Sequence, residues 1–326
     1  MTAREILDRI PAVKVLVVGD ICLDRWCQYD PFLAEPSRET GLERVAVCAT
    51  EVTPGAGGTV SSNLAGLGAR EIRVLGIVGD DGHGYELRQA LARRGIDASL
   101  LVTGPVTFTY TKLINSRTGV EDLGRIDYVS YPPPAEVEDE LIRRLEQAAP
   151  QHDCVMVADQ METAAGGVVT ARVRECLSRL AAAHPKLLIW VDSRMRIEQF
   201  RRVTVKPNER EAREACERLG IAVDYGKLSE VVGGPLMMVT HGADGVTVLE
   251  GGAEVRIATK PVVNPMDICG AGDSFSAGAL LALCSGSSAT EAARFGNYVA
   301  SITIMKPGTG TASPAEVLRA EKEQAA

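Results

Sequence analysis

Short apolar runs rich in β-branched residues alternate along the chain with stretches whose apolar positions recur every three to four residues. The first kind is typical of buried strands and the second of helices packed on one side. The predicted strands are residues 13–19, 72–78, 155–158, 187–192, 203–206, 236–240 and 245–250. The predicted helices are residues 60–67, 85–94, 137–149, 168–183, 209–219, 275–284 and 289–305. This alternation predicts an α/β chain with three α/β/α layers and a mostly parallel central sheet.

Two segments interrupt this rhythm. Residues 25–53 are irregular, with one short strand predicted at 44–49, and residues 105–130 carry two runs rich in Thr, Tyr and Val that predict a hairpin. We expect these strands to leave the main sheet and form a small β lid. Because the sequence contains no internal repeat and no low-complexity linker, residues 1–326 are expected to form a single domain.

Composition narrows the choice of partners. The chain has 35 Lys and Arg residues against 43 Asp and Glu residues, a net charge of −8. An acidic chain has no general attraction for nucleic acid or anionic membranes, so neither partner is expected. To bind a polyanionic ligand such as a nucleotide, the chain would need a local binding site made of backbone amides that point at the ligand, a metal ion or a few basic side chains.

Other features of the sequence favour a cytoplasmic location. The first residues are amphipathic and charged, without the apolar block of a signal peptide, and no apolar run approaches membrane-spanning length. The eight cysteines include no CxxC pair, and most lie in apolar runs. We expect them to be small buried side chains in a reducing compartment.

The strongest chemical signal is the segment DICGAGD, from Asp267 to Asp273, which precedes an apolar helix. Gly270 and Gly272 flank Ala271, so the backbone amides here can surround an anion, assisted by the positive end of the helix. Asp273, in the first turn, could accept a proton from an attacking hydroxyl group. Glycine-rich turns also precede helices for purely structural reasons. The segment therefore indicates a catalytic site only in combination with the other segments described below.

A second signal is KPNERE, which begins at Lys206 where a strand ends and a helix begins. Asn208 and Glu211 share one face of the first helical turn, where an amide and a carboxylate could hold a hydrated Mg²⁺ beside phosphate oxygens. The alternative is that Asn208 is only an N-cap and Glu211 its capping-box partner.

Two N-terminal segments fit a hydroxyl-rich ligand. Asp20 and Asp24 follow the first strand, at the sheet edge where ligands of parallel sheets bind. A glycine-rich loop is predicted at residues 55–58, and the segment from Pro54 to Asn63 has a flexible backbone and small polar side chains that can wrap a small polar ligand. It is neither GxGxxG nor a P-loop, and neither motif occurs elsewhere in the chain.

Together these segments resemble the PfkB carbohydrate kinases of the ribokinase-like fold. The resemblance runs in order from residue 15 to about residue 314. Within this family, the segments most resemble the kinase domain of the bacterial heptose-phosphate kinases (D-glycero-β-D-manno-heptose-7-phosphate kinase). It is carried by GDICLDRW, PGAGGTVSSNLAGLGA, TKLINSR with RID, VDSR, KPNEREA, VTHGADG, DICGAGDSF and FGNYVASITIMKPGTG.

The resemblance implies ATP-dependent phosphoryl transfer to a sugar or sugar phosphate, with ATP and Mg²⁺ and a homodimer formed through the lid. Asp273 would be the catalytic base, and Gly270, Ala271 and Gly272 would form the anion hole. The implied substrate-binding residues are Asp20, Asp24, Gly57, Gly58, Thr59, Asn63, Lys112 and Arg125. The implied nucleotide and Mg²⁺ residues are Lys206, Asn208, Glu211, Thr240, Gly242, Gly245 and Asn297. Asp267 would lie near a monovalent-cation (K⁺) site of the kind that several relatives have.

Three departures from the family pattern all lie on the substrate side. Ala56 and Thr59 stand where the family usually has glycine and an asparagine that reads a sugar hydroxyl. Glu162 replaces a basic residue that could meet a substrate phosphate, and the segment EPSRETG replaces the usual lid sequence. A nucleoside kinase, a hexose-phosphate kinase or a catalytically silent sugar-binding or regulatory protein therefore remain alternatives. An NAD-dependent oxidoreductase is disfavoured, because the first strand leads into DICLD and not into the GxGxxG motif that binds dinucleotides.

Overall fold

In the computed structural model, which describes residues 1–129, 132–161 and 166–325, two sheets account for most of the strands. The strands are β1 (Lys14–Gly19), β2 (Ile21–Tyr29), β3 (Val47–Ala56), β4 (Glu71–Leu75), β5 (Ile77–Gly79), β6 (Val102–Gly104), β7 (Thr109–Asn115), β8 (Ile126–Tyr128), β9 (Cys154–Asp159), β10 (Leu188–Ser193), β11 (Thr204–Val205), β12 (Leu236–Thr240), β13 (Val246–Glu250) and β14 (Ala253–Ile257). The α-helices are α1 (Ala3–Arg9), α2 (Gly57–Gly66), α3 (Gly82–Ala92), α4 (Ala135–Ala148), α5 (Ala171–Ala183), α6 (Glu209–Arg218), α7 (Tyr225–Val232), α8 (Ala271–Cys284), α9 (Ala289–Thr303) and α10 (Pro314–Ala325).

The central sheet has the strand order β14-β13-β12-β11-β10-β9-β1-β4. The strands from β4 to β12 run parallel, and β13 and β14 are added antiparallel at one edge. Alternate residues of β1 enter two different cores: Val15 and Val17 pack with α2, α8 and α9, whereas Leu16 and Val18 pack with α4 and α5. This period of two places helices on both faces. The predicted three-layer, mostly parallel fold is confirmed.

The lid sheet is the second sheet, with the order β3-β2-β7-β8. It uses the two segments that the sequence pattern set apart. The predicted hairpin of residues 105–130 is the antiparallel pair β7 and β8, while the last residue of the predicted second run, Ser130, lies outside the described residues. Segment 25–53 is more regular than predicted: β2 is a nine-residue strand that starts at Ile21, and β3 runs on to Ala56.

Other predicted elements need correction. The glycine-rich stretch is not a loop, because Gly55 and Ala56 end β3 while Gly57 and Gly58 form the buried first turn of α2. Ala56 has φ +51°, a backbone region that glycine adopts far more readily than alanine. The strand predicted at 72–78 is interrupted at Gly76, where a side chain would lie 2.6 Å from the carbonyl oxygen of Gly19. Helices α1 and α7 and strands β6 and β14 were not predicted.

Five of the eight cysteines are buried as expected, whereas Cys48 and Cys269 are exposed and Cys284 is half-buried. Among the described residues, no helix is both long enough and apolar enough to span a bilayer.

Candidate active site

The N-terminal end of α8 forms the centre of the site. Gly270 caps this helix with φ +77° and no side-chain hydrogen bond, so the amides of the first turn are left to other acceptors. One of the three predicted anion-hole amides is already engaged, since the N–H of Ala271 donates to the carbonyl of Ile268 over 3.2 Å. In this conformation Gly270 and Gly272 are the members of the predicted set that remain to bind an anion.

Asp273 is the third residue of α8 and partly buried. Burial raises the pKa of its carboxyl group to about 7, and the nearby carboxylate of Asp192 adds to the rise, while the positive charges of Lys206 and Arg194 oppose it. A carboxyl group with a pKa near neutrality suits a general base, because it is substantially ionised yet still holds a proton well. The negative charge of Asp24 also contributes to this rise in the pKa of Asp273.

A buried ion pair lies beside this helical turn. Lys206 Nζ is 2.7 Å from Asp192 Oδ2, and a side chain at Gly272 would begin only 3.2 Å from Nζ. Burial acts to lower the pKa of Lys206, but the carboxylates of Asp192 and Glu211 outweigh it and hold the pKa above its ordinary value. A fixed positive charge therefore stands against the first turn of α8.

Asp24 projects from β2 of the lid sheet. Burial raises its pKa to about 6, and the positive charges of Lys112 and Arg125 oppose this rise. Both cations lie over aromatic rings of the lid sheet: Lys112 Nζ is 4.0 Å from the ring centre of Trp26, and Arg125 Cζ is 4.3 Å from that of Tyr110. The structure therefore brings the three predicted lid-side residues together.

A cavity of about 680 Å³ lies between the lid sheet and residues 307–309. Trp26 and Thr53 line it on the lid side. The Thr309 methyl group and that of Thr59 each lie 3.3 Å from where a Gly270 side chain would begin. Thr59 therefore lies at the junction of α2 and the turn before α8.

The remaining N-terminal predictions occupy supporting positions. Asp20 does not present its carboxylate to the cleft: one oxygen accepts from the N–H groups of Gln160 and Met161, and the other accepts from Val168. Asn63 is fully buried in α2, where its Nδ2 donates to the carbonyl of Thr59. Both residues make buried hydrogen bonds to the backbone, and the structure does not bring their side chains to the open cleft.

On the side expected to bind the phosphate donor, Asn208 and Glu211 form a capping box, which was the alternative interpretation of KPNERE. Asn208 Oδ1 accepts from the N–H of Glu211 over 2.9 Å, and the Glu211 carboxylate accepts from the N–H of Asn208 over 2.8 Å. This capping box leaves one Glu211 oxygen and the Asn208 amide nitrogen for other partners. Burial raises the pKa of Glu211 to about 7, Asp192 adds to the rise, and Lys206 opposes it.

Asn208, Thr240 and Gly242 line one cavity of about 290 Å³. Gly245 closes the β12–β13 turn instead: its φ is +90°, and a side chain there would lie 2.1 Å from the carbonyl oxygen of Ile257. Asn297 is buried in α9, and its Nδ2 has no hydrogen-bond partner among the described residues.

Two metal predictions concern this side of the site. In the described part of the chain, no three His, Cys, Asp or Glu side chains converge as they would around a metal held by protein alone. The donor set at Asn208 and Glu211 suits Mg²⁺ that keeps water and phosphate ligands. Asp267 Oδ1 accepts from the N–H of Cys269 over 2.8 Å, so this carboxylate helps to shape the turn before the anion-binding amides.

Sequence reasoning gave no role to three charged residues at the ends of neighbouring strands. Asp192 is the last residue but one of β10, Arg194 directly follows that strand, and Asp159 ends β9, where its carboxylate pairs with the buried guanidinium of Arg196. The signal that could have found them is their place at the carboxyl edge of a parallel sheet, where ligands bind. Glu162, one of the three departures from the family pattern, lies outside the described residues.

Comparison with known proteins identifies relatives of this chain. Residues 13–316 match the sequence model of the pfkB family carbohydrate kinases. The chain is 28% identical over 332 residues to the bifunctional protein HldE of Trichlorobacter lovleyi and 31% identical over 331 residues to that of Pelobacter propionicus. These matches cover 97% of this chain but only 64% and 65% of the relatives, so the chain spans less than two thirds of their length.

Two solved structures show the fold. The ribokinase of Thermotoga maritima is 20% identical with a TM-score of 0.71, covering 95% of this chain and 99% of that one. Phosphofructokinase-2 of Escherichia coli, in complex with potassium, is 17% identical with a TM-score of 0.71, covering 96% and 100%. The expected ribokinase-like fold is therefore confirmed.

Proposed function

This chain belongs to the pfkB family of carbohydrate kinases, and we propose that it transfers the γ-phosphoryl group of ATP directly to a hydroxyl group of a sugar phosphate or sugar. The observation that carries the proposal is the position of Asp273. Its carboxyl group, with a pKa raised to about 7 by burial, stands in the first turn of α8, within reach of the charges of Asp24 and Lys206.

The acceptor lies in the cavity between the lid sheet and residues 307–309. Asp24 accepts hydrogen bonds from its hydroxyl groups, since a carboxylate offers several acceptor sites. Lys112 and Arg125 place two positive charges near Asp24, which favours an acceptor that itself carries a phosphate group, such as a heptose phosphate. Gly57, Gly58 and Thr59, in the buried first turn of α2, support the acceptor side of the site.

Asp273 removes the proton from the attacking hydroxyl group as the new oxygen–phosphorus bond forms and the bond from the γ-phosphorus to the ADP oxygen breaks, so that ADP leaves. Negative charge on the phosphoryl oxygens is met by the amides of Gly270 and Gly272 and by the ammonium of Lys206. These groups are already in place before transfer, so little reorganisation accompanies the step. Lid closure over the acceptor excludes water and suppresses ATP hydrolysis.

Residues of the donor side hold the nucleotide and its metal. Asn208 and Glu211 bind Mg²⁺ through water, and this ion neutralises charge between the phosphates when it is bound. Thr240, Gly242 and Asn297 border the rest of the nucleotide, and the buried Asn297 amide offers a donor that needs a partner. Asp267 supports a K⁺ site through the turn that it shapes.

The lid also provides a surface for self-association. Its outer parts expose several large apolar side chains, namely Phe32, Leu42, Val47, Ile126 and Tyr128. A concentration of exposed apolar groups in one small sheet is typical of a protein interface. A homodimer formed through the lid, in the cytoplasm, is part of the proposed function.

The proposal is tested by coupled ADP release with Mg-ATP and a panel of heptose phosphates, hexose phosphates, sugars and nucleosides. Asp273→Asn should bind ATP normally and lose about 10²–10⁴-fold in kcat, because it cannot accept the proton. Asp139→Asn, which changes an exposed carboxylate on α4, is the matched control. Full activity of Asp273→Asn, or ATP binding without turnover of any acceptor, would contradict the proposal.

A further inference from the structure

The ion pair of Asp192 and Lys206 owes its position to the strand register. Strands β10 and β11 pair in parallel with Val191 opposite Val205, so the next residue of each strand emerges side by side at the carboxyl edge. The side chains of Asp192 and Lys206 are only 6% and 4% exposed, and their charged atoms are 2.7 Å apart. Both charges are therefore almost wholly removed from solvent.

Helix α8 closes over the pair with two residues that lie four apart and so share one face. Gly272 leaves room for the ammonium, since a side chain there would begin 3.2 Å from Lys206 Nζ. Ser276 Oγ donates a hydrogen bond to Asp192 Oδ2 over 3.2 Å. Asp192 is thus fixed from two sides, and Lys206 is confined between Asp192 and the first turn of α8.

Stability alone does not require this arrangement. Burying two charges costs desolvation free energy that their attraction roughly offsets, and apolar residues of similar volume are often as stable. A fixed ammonium beside anion-binding amides does provide something that apolar residues would not. It is a positive charge held where negative charge accumulates during phosphoryl transfer.

We infer that Asp192 is a positioning residue for phosphoryl transfer, which holds the Lys206 ammonium beside the Gly272 amide so that it meets the transferring phosphoryl group. This inference rests on the proposed function. Lysine is a long and flexible side chain, and in the described part of the chain Asp192 is the carboxylate at ion-pair distance from its ammonium. Asp192 also helps to raise the pKa of Asp273, so the test must separate that route from the one through Lys206.

The experiment is a double-mutant cycle of Asp192→Asn, Lys206→Met and the double variant. Each single change should lower kcat about 10²-fold, the usual effect of losing one charge-stabilising group. Each should also reduce the preference for ATP over ADP in calorimetric binding, with the KM of the acceptor little changed. Because Asp192 acts through Lys206, the double variant should be no worse than Lys206→Met alone.

Asp159→Asn is the matched control, because it removes a buried carboxylate from an ion pair with Arg196 at the end of the neighbouring strand. It should leave the ratio of ATP to ADP affinity unchanged. An equal change of that ratio in Asp159→Asn would overturn the inference, as would kcat losses that add in the double variant.

Ser276→Ala provides a second route if Asp192→Asn does not fold, since it removes only one hydrogen bond to Asp192. It should change kcat and the affinity ratio in the same direction with smaller amplitude, and no change would contradict the inference. If the wild type binds ATP but phosphorylates no acceptor, the proposed function fails. The affinity ratio across the cycle then still decides whether Asp192 positions Lys206.

Discussion

The two sides of the cleft hold their charges in different ways. On the phosphoryl side, Lys206 and Asp192 are buried and fixed by the main sheet and α8. On the lid side, Lys112 is half-buried and Arg125 exposed, and each lies against an aromatic ring. Buried charges are preorganised for one task, whereas more exposed cations can shift with the ligand, even where one of them, Arg125, also pairs with Asp127 at the surface. Under the proposed function, this difference predicts that the main sheet carries out the chemistry and that the lid selects the acceptor.

The largest expected effect tests the phosphoryl side through pH. Asp273 must be ionised to accept a proton, and burial raises its pKa to about 7, so kcat/KM should rise with pH and level off above about 7. At pH 5, two units lower, the ionised fraction and the rate should be about 100-fold below the plateau. Initial rates across this range measure the effect.

A control distinguishes Asp273 from Asp24, the lid-side carboxyl group whose pKa is also raised. Asp24→Asn should keep the same acid limb near pH 7, although the pKa of Asp24 is itself raised to about 6. A profile that is flat from about pH 5 to 8, or a limb that disappears in Asp24→Asn, would remove Asp273 from the role of base.

The next effect tests the lid side. Asp24→Asn should lower kcat/KM for the acceptor about 10–100-fold, because hydrogen bonds to a charged group contribute about 1.5–3 kcal/mol. ATP affinity should not change, since Asp24 belongs to the lid sheet. Glu121→Gln, which changes an exposed carboxylate in the connection between β7 and β8, is the control and should have little effect. Equal losses in ATP and acceptor affinity would mean that the two sides are not separable.

The smallest effect concerns the outer face of the lid. Ile126→Glu, on the edge strand β8, should weaken dimerisation at least about 10-fold, since a charge is placed in an apolar interface. Sedimentation velocity over a range of concentrations measures it. Val255→Glu is a matched control, because Val255 is a similarly exposed apolar residue on β14, the edge strand of the main sheet. A wild type that stays monomeric at high concentration would refute association through the lid.

The anion-binding turn was predictable because its chemistry is local. Glycines on either side of Ala271, followed by an acidic residue and an apolar helix, specify amides, a helix end and a carboxylate within seven consecutive residues. The capping box of Asn208 and Glu211 is equally local, as its two hydrogen bonds join residues three apart. The alternation of strand and helix patterns likewise predicted the three layers.

The sequence by itself thus determined the fold class, the turn at residues 270–272 and the place of the Asp273 carboxylate in the first turn of α8, because each depends on neighbours along the chain. Only the tertiary structure decided that Asp192 and Lys206 form a pair, since their contact follows from the register of β10 and β11 across an intervening segment. It likewise engaged the Asp20 carboxylate with the N–H groups of Gln160, Met161 and Val168, and it placed Asp24 on the lid sheet. Such roles depend on which strands become neighbours, and long-range pairing leaves no periodic signal in the sequence.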